Sequence, residues 1–470
     1  MKRYINPYAF LILVVFLSAC KVSKDIVVPK SAIPESFRGA ENPTDTSGIA
    51  SVPLNQFIAQ AELRKLIDTA LLKNYDLQIA LKNIEASELL FKQSRLGNIP
   101  SLNFQVTGSS NRPSDNSLNG LSSSQFLGTS HIEDYNANLG ISWEADIWGK
   151  IRSRKQGAFA TYLQSQEAKK AIQTRLIANV AQGYYNLLMM DAQLSIAKKN
   201  LALNDSTLRI IHIQFDAGQV TSLAIQQAEA QQTVAAQLIP QLEQGLGIQE
   251  NALRILTGQV PAAVERLLTL DQVTVPQSLS AGIPSVMVNR RPDVKASELA
   301  LTIANAKVGV NKANMYPTLN ITASGGLNSF KASNWFNVPA SLFGIVTGGI
   351  TQPIFQHKEL KTQFEVSKVE REKAVLQFRQ TVLTAVAEVS DELIKQDKLK
   401  QQYSIANSRV NTLQTAVKNA NLLFKNGMAN YLEVITAQSN LLQSELDLAT
   451  LKTAQLNASV ELYRTLGGGY

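Results

Sequence analysis

The spacing of apolar residues along this chain changes period in a set order, and the order occurs twice. Residues 62–97 and 286–315 place apolar side chains at helical intervals. After the first of these, Leu102, Phe104 and Val106 alternate with Ser101, Asn103, Gln105 and Thr107, the two-residue period of a strand with one wet face. A Ser/Asn/Gly-rich loop over 107–134 leads to a second strand, in which Tyr135, Ala137, Leu139, Ile141, Trp143, Ala145 and Ile147 alternate with polar or small residues. In the second half Leu319, Ile321 and Ala323 alternate in the same way, and a less regular, glycine-rich strand is expected over 340–352. Each hairpin is followed by a very long helix, roughly 150–216 and 358–425, then a glycine-containing turn and a second helix of about 40 residues. Val375, Phe378, Val382, Val386, Val389 and Leu393 step by three and four, the seam of a coiled coil. At 1.5 Å per residue a helix of about 65 residues is roughly 100 Å long, more than one globular core requires. Pro240 is expected to interrupt and kink the helix after Gly218.

The two stretches are copies of one module. Asp76 and Pro100 recur as Asp293 and Pro317, and Pro100-Ser-Leu-Asn-Phe104 as Pro317-Thr-Leu-Asn-Ile321, at an offset of 217. Phe215-Asp-Ala-Gly218 recurs as Phe424-Lys-Asn-Gly427 at an offset of 209, so the second copy has lost a few residues in between.

The ends and the composition narrow the chemistry. Met1-Lys2-Arg3 followed by the apolar run 9–17 reads as an export signal, too short to span a bilayer as a mature helix. Leu17-Ser18-Ala19-Cys20 resembles the bacterial lipobox, in which the cysteine is lipidated on sulfur and becomes the first mature residue. An ordinary leader with an incidental cysteine is the plainer alternative. Lys21 follows, which permits sorting to the outer membrane. From there to about residue 60 four prolines and no sustained periodicity describe an extended strap. One cysteine in 470 residues excludes an intrachain disulfide framework and any cysteine-based metal cluster. His131, His212 and His357 are scattered, and no Walker, dinucleotide-binding, nucleophile-elbow or HExxH motif occurs, so no cofactor or catalytic residue is expected. A formal charge of +8, spread thinly, does not read as a nucleic-acid surface.

Trp143, Trp148 and Trp335 all fall in or beside the hairpins. Tryptophan at the rims of dyad-alternating strands is what an outer-membrane barrel displays, although a soluble sandwich with core tryptophans has the same spacing. Four strands cannot close around water, and an open edge in lipid leaves backbone groups unpaired. Several chains must therefore share a barrel, and three would supply 12 strands.

The chain resembles the outer membrane factor family, the TolC-like exit ducts of tripartite efflux systems, and within it the NodT-like lipoprotein branch. The residues that carry the resemblance are Asn289-Arg-Arg-Pro-Asp-Val294, Ala304-Asn-Ala306, Gly309 and Tyr316-Pro-Thr-Leu319, with Trp143-Glu-Ala-Asp-Ile-Trp-Gly-Lys150, Val180-Ala-Gln-Gly-Tyr-Tyr-Asn-Leu187, Leu256-Thr-Gly258 and the closing Leu462-Tyr-Arg-Thr-Leu-Gly-Gly-Gly-Tyr470. His357 and Lys358 depart from it, standing where a glycine pair is common. The resemblance implies an α+β membrane protein, a homotrimer whose 12-stranded β-barrel continues as a periplasmic α-helical barrel. It implies passive conduction, with an inner-membrane pump supplying energy, a periplasmic adaptor meeting the helix tips at Gly218 and Gly427, and outer-membrane lipid around the barrel. It also implies acidic rings near the mouth. Glu433, six residues after Gly427, is the better candidate and Glu229 the weaker, while the place matching Glu433 by distance from Gly218 is Ala224. The organisation expected is a leader over 1–19, a lipidated strap over 20–60, a first repeat over 61–258, a connecting segment over 259–285 and a second repeat over 286–470. The alternatives are a non-conducting envelope-spanning coiled-coil lipoprotein and the outer-membrane duct of a type I protein secretion system.

Overall fold

A computed structural model of the protein describes residues 24–28, 33–39, 49, 52–122, 125–126, 128–275 and 281–470. The leader and Cys20 lie outside the described residues. The main elements are α1 (Ala61–Lys73), α2 (Tyr75–Arg95), β1 (Ser101–Asn111), β2 (Ile132–Glu144), α3 (Lys150–Asp216), α4 (Ser222–Leu256), α5 (Pro284–Arg290), α6 (Pro292–Ala313), β3 (Thr318–Ser329), β4 (Leu342–Thr351), α7 (Glu359–Lys425) and α8 (Tyr431–Thr465). The described residues divide into two compact units, one built from 24–28, 85–163 and 298–376 and the other from 33–84, 164–297 and 377–470.

The first unit contains one four-stranded antiparallel sheet in the order β1-β2-β3-β4. The hydrophobic alternation sets its register. Leu102, Phe104 and Val106 stand opposite Ile141, Leu139 and Ala137, whereas Asn103 and Gln105 stand opposite Gly140 and Asn138. A slip of one residue would put every apolar side chain on the wrong face. Beneath the sheet α3 lies close to α6 at small residues, where a Cβ on Gly157 would stand 3.3 Å from Ala306 and one on Gly309 would stand 2.7 Å from Ser153 Oγ. Ile26 is held to α6 by a reciprocal amide pair with Asn305, at 3.2 and 3.0 Å.

The second unit holds the helical core. Leu63 and Ile67 of α1 pack with Val180, Tyr184, Leu187 and Leu188 of α3, and Leu456 and Val460 of α8 join them. Arg266, from the segment between α4 and α5, clamps that segment down with hydrogen bonds to Asp191 (2.6 Å) and Glu250 (2.6 Å).

Three expectations are corrected. The segments 62–97 and 286–315 are each two helices, broken at Asn74 and Arg291, which share an extended backbone (φ −63°, ψ 129° and φ −65°, ψ 122°). Pro292 explains the second break, since a residue before proline is driven out of the helical region. At the first, the Asn74 side chain competes for the backbone and caps α2 by accepting from Leu77 N at 3.1 Å. The expected interruption at Pro240 is absent, as α4 continues through it as one element. Proline removes a single backbone donor, and a 35-residue helix retains its other bonds. The 107–134 loop is shorter than expected, because β1 runs on to Asn111 and β2 starts at Ile132.

The residues lost from the second copy also have a place. α3 and α7 are both 67 residues long and α4 and α8 both 35, all at an offset of 209. β1 and β3 start 217 apart. The β1–β2 loop spans 112–131 and the β3–β4 loop 330–341, 20 residues against 12, and those eight residues account for the whole change of offset.

Candidate functional site

Most of the apolar face of the sheet is uncovered within the chain. Leu102, Phe104 and Val106 of β1, Leu139 and Ile141 of β2, Ile321 of β3, and Leu342, Val346 and Ile350 of β4 are all exposed. The register puts them on one face, since Ile141 stands opposite both Leu102 and Ala323, and Ala323 opposite Val346. Val346 is 79% exposed, more than the solvated face of a soluble sheet tolerates in a valine surrounded by other exposed apolar residues. β1 and β4 are the outer strands, each paired on one side only. At about 3.3 Å per residue and a tilt of about 40°, the 12 residues of β3 span roughly 30 Å, a bilayer's hydrocarbon thickness.

The tryptophans bracket this face. Trp143 Nε1 donates to the Asn98 carbonyl (2.9 Å), and Trp148 Nε1 donates to that of Pro317 (2.7 Å) while its ring stacks on Tyr316 at 4.8 Å. Both stand where strands meet helices. Trp335 lies at the other end, in the β3–β4 loop, where Nε1 donates to Leu327 O (3.3 Å) and the ring meets Tyr135 and Phe336. Each indole thus has its N–H satisfied and its ring available to an interface.

The turn entering α7 shares one left-handed position with its first-copy counterpart and adds a second. Gly149 has φ +74°, and Lys358, 209 positions on, has φ +64° with His357 at +49°. A left-handed backbone is strain-free for glycine and strained for lysine or histidine.

At the other end of the long helices, Gly218 and Gly427 adopt φ +72° and +71°. Each terminates its helix in the same double bond pattern, Gly218 N to Phe215 O and Gln219 N to Gln214 O, repeated by Gly427 N to Phe424 O and Met428 N to Leu423 O. The two tips pack on each other within the chain through Ile211, Ala224, Phe424 and Val434, and Tyr431 Oη donates to Gln227 Oε1 at 2.5 Å. Glu433 is exposed in the first turn of α8, where its backbone N–H donates to Asn430 Oδ1 (3.1 Å). Glu229 is exposed on α4, and Ala224, the counterpart of Glu433, is buried.

Residues that periodicity did not single out hold the joints. Asn74 Nδ2 donates to the last carbonyl of α4, Leu256 O, at 3.0 Å. At the equivalent place Arg291 Nη1 donates to the last carbonyl of α8, Thr465 O, at 3.2 Å. Arg291 also grips Asp293 with two bonds, Nε to Oδ1 at 3.0 Å and Nη2 to Oδ2 at 2.6 Å, and lies 2.7 Å from Glu388 Oε2 of α7. The Glu388 contact is close but poorly aligned as a hydrogen bond, so it acts chiefly through charge. Burial by itself would push Asp293 up, but the hydrogen bonds and charge of Arg291 hold its carboxyl below the ordinary range. The echo of Asn74-Tyr-Asp76 in Arg291-Pro-Asp293 is the sequence signal that marks these positions. Along the α3–α8 contact, Gln438 Nε2 donates to Thr207 Oγ1 (3.0 Å) and Asn204 Nδ2 to Asn200 Oδ1 (2.9 Å), all four side chains buried. Among the described residues, no group of His, Cys, Asp or Glu is placed to hold a metal ion.

With that geometry in hand, comparison with known proteins is specific. The toluene efflux pump outer membrane protein TtgC of Pseudomonas putida is 28% identical over 460 residues, covering 97% of this chain and 93% of that protein. The cation efflux system protein CusC of Escherichia coli is 25% identical over 456 residues, 97% and 96% of the two chains. The open state of the MtrE outer membrane channel of Neisseria gonorrhoeae superposes with a TM-score of 0.83 at 25% identity, covering 96% of this chain and 98% of that one. The family model for outer membrane efflux proteins matches residues 66–259 and 283–468, one span in each copy. A duplicated α+β chain with an uncovered apolar sheet face and paired long helices is therefore a member of the outer membrane efflux protein family, a channel protein of the outer membrane.

Proposed function

We propose that three copies of this chain close one β-barrel in the outer membrane and form the exit duct of a tripartite efflux pump. The observation that carries this is the pair of half-paired outer strands on a sheet with an exposed apolar face. In lipid, the free N–H and C=O groups of β1 and β4 require partners, and β4 of one chain against β1 of the next satisfies both without leaving an edge. The long helices then continue on the periplasmic side, where the glycine tips at Gly218 and Gly427 meet an adaptor protein and an inner-membrane pump supplies the energy. Conduction is passive and uses no catalytic group or cofactor. The sulfur of Cys20 receives the lipid that anchors each chain, so Cys20→Ser gives an exported protein that incorporates no labelled palmitate, and labelling of that variant contradicts the anchor. Two relatives, named for toluene and for cations, share the fold at similar identity, so the cargo belongs to the pump and not to the duct.

We read Glu433 as the ring at the mouth: it is exposed at the tip, and threefold symmetry would bring three such carboxylates together. Their repulsion and their attraction for cations make the resting pore narrow and cation-preferring. The test is reversal potential in a salt gradient across a planar bilayer. Wild type passes cations preferentially, Glu433→Gln reduces that preference, and Glu229→Gln does less. A protein that never conducts supports the coiled-coil spacer instead, and a conducting Glu433→Gln with unchanged selectivity removes the carboxylate ring.

A further inference from the structure

We infer that the strand–helix junction is a cationic collar that docks on the anionic phospholipid headgroups of the membrane leaflet on the helical side, an inference that rests on the barrel reading above. All four connections at this end of the sheet carry positive charge. α2 ends at Arg95, α6 has Lys312 in its last turn, and Lys358 and Lys361 flank the start of α7. The start of α3 is the most informative. It has no acidic residue in its first turn, yet Lys150, Arg152, Arg154 and Lys155 crowd its first two turns. Cations oppose the sign that a helix N-terminus favours.

The chain itself does not neutralise them. Lys150 is taken up by Glu144 at 2.9 Å, but Arg152, Arg154 and Lys155 are exposed and have no ion-pair partner among the described residues. The carboxylates at this end are engaged elsewhere. Asp146 accepts the backbone N–H groups of Ile151 (2.8 Å) and Arg152 (2.9 Å), which caps α3, and Glu359 accepts from Gln363 at 2.9 Å. The opposite end of the sheet has the other balance, with Asp115, Glu133 and Asp134 against Arg112 and Lys331.

Two further observations point to lipid as the anion. The collar adjoins the exposed apolar face, whose last β4 residue on this side is Ile350, and Trp143 and Trp148 stand at the same level. An apolar band, then indoles, then cations is the order of a bilayer from acyl chain to phosphate. Lys358 also stands where the first copy has Gly149, on a backbone with φ +64°. A charged side chain on a left-handed backbone that glycine would adopt without strain fits a use for its charge.

The native tryptophans report the test. The full-length protein is reconstituted into vesicles containing brominated phosphatidylglycerol or brominated phosphatidylcholine, and quenching gives the relative affinity of the two lipids for the protein surface. Wild type prefers the anionic lipid several-fold, and the preference falls with added salt. Arg152→Gln/Arg154→Gln/Lys155→Gln brings it close to one, as does Lys358→Gln/Lys361→Gln to a smaller extent, while Lys398→Gln/Lys400→Gln, in the helical unit, leaves it unchanged. An unaltered preference in both junction variants, or none in wild type, overturns the collar. Loss of the oligomer in the triple variant assigns those cations to carboxylates of a neighbouring copy and also overturns it. Absence of quenching by either lipid means that no barrel inserts, which removes the barrel reading and the collar with it.

Discussion

Asn74 and Arg291 occupy the same place in the two copies and do the same job with different chemistry. Each interrupts a helix with an extended backbone, and each offers a side-chain donor to the last carbonyl of the helix that returns from the tip, Leu256 in one case and Thr465 in the other. Asn74 does so with a neutral amide. Arg291 does so with a guanidinium only 6% exposed, whose Nε and Nη2 donate to Asp293 and whose charge faces Glu388 on α7. Duplication preserves a backbone joint because the unsatisfied carbonyl at a helix end must be capped in both copies. It leaves each copy free to choose how, and the second copy has added a tie to its long helix.

The joints therefore fail differently. Arg291→Met takes a cation from Asp293 and Glu388 and uncaps Thr465, which destabilises by about 2–3 kcal/mol, less than for a fully buried pair because the two carboxylates are 44% and 36% exposed. Asn74→Ala loses two hydrogen bonds and is expected to destabilise by about 1–2 kcal/mol. Thermal unfolding followed by far-UV circular dichroism in one detergent ranks the two, and equal losses would mean that the charge at Arg291 adds nothing to the cap. Acid separates them further. Asp293 is held below its unfolded range, so its contribution is complete above the ordinary carboxylate pKa and is lost as pH falls through that range toward the lower folded value. Amide protection factors, corrected for the intrinsic pH dependence of exchange, should fall at the start of α6 on acidification while those at the start of α2 change less.

The glycines give the next contrast. Gly258 ends α4 with φ +65°, and a Cβ there would stand 2.4 Å from the Lys73 carbonyl oxygen, whereas Gly427 at the tip has nothing within 4 Å. Gly427→Ala meets only the left-handed backbone penalty, about 1–2 kcal/mol. Gly258→Ala adds a backbone clash and should lower the yield of folded protein outright. If the two variants fold and melt alike, the packing at Gly258 is looser than this account requires. The smallest effect concerns the turn into α7. Lys358→Gly relieves a strained φ and should stabilise by up to about 1 kcal/mol, whereas Gly149→Lys at the matching position should destabilise by a similar amount.

The long helices and the hairpins were legible because a buried face repeats strictly. The seam over Phe378, Val382, Val389 and Leu393 is buried on α7, and the alternation of β1 and β2 sets their register. The irregular 340–352 stretch still forms β4, because strand pairing to β3 supplies what its glycines lack in side-chain contact. The joints were not legible as joints. Their function depends on a carbonyl 182 positions away for Asn74 and 174 away for Arg291, and no local period encodes that. Pro240 misleads for a related reason, since the stability of a long packed helix outweighs one missing donor. At the tips, Gly218 and Gly427 announced the turns, but the difference between Glu433 and Ala224 became physical only once one was exposed and the other buried.

The claim on which the function rests is that β4 of one chain pairs with β1 of the next around a closed ring of three. Disulfide trapping tests it directly. In a Cys20→Ser background, a cysteine at Gln105 in β1 is combined in turn with one at Phe343, Ile345 or Thr347 in β4, all on the face opposite the apolar one. Oxidation in native outer membranes should yield covalent dimers and trimers for at least one register, with the ladder ending at three. Monomers at every register, or a ladder that runs past three, would contradict the shared barrel.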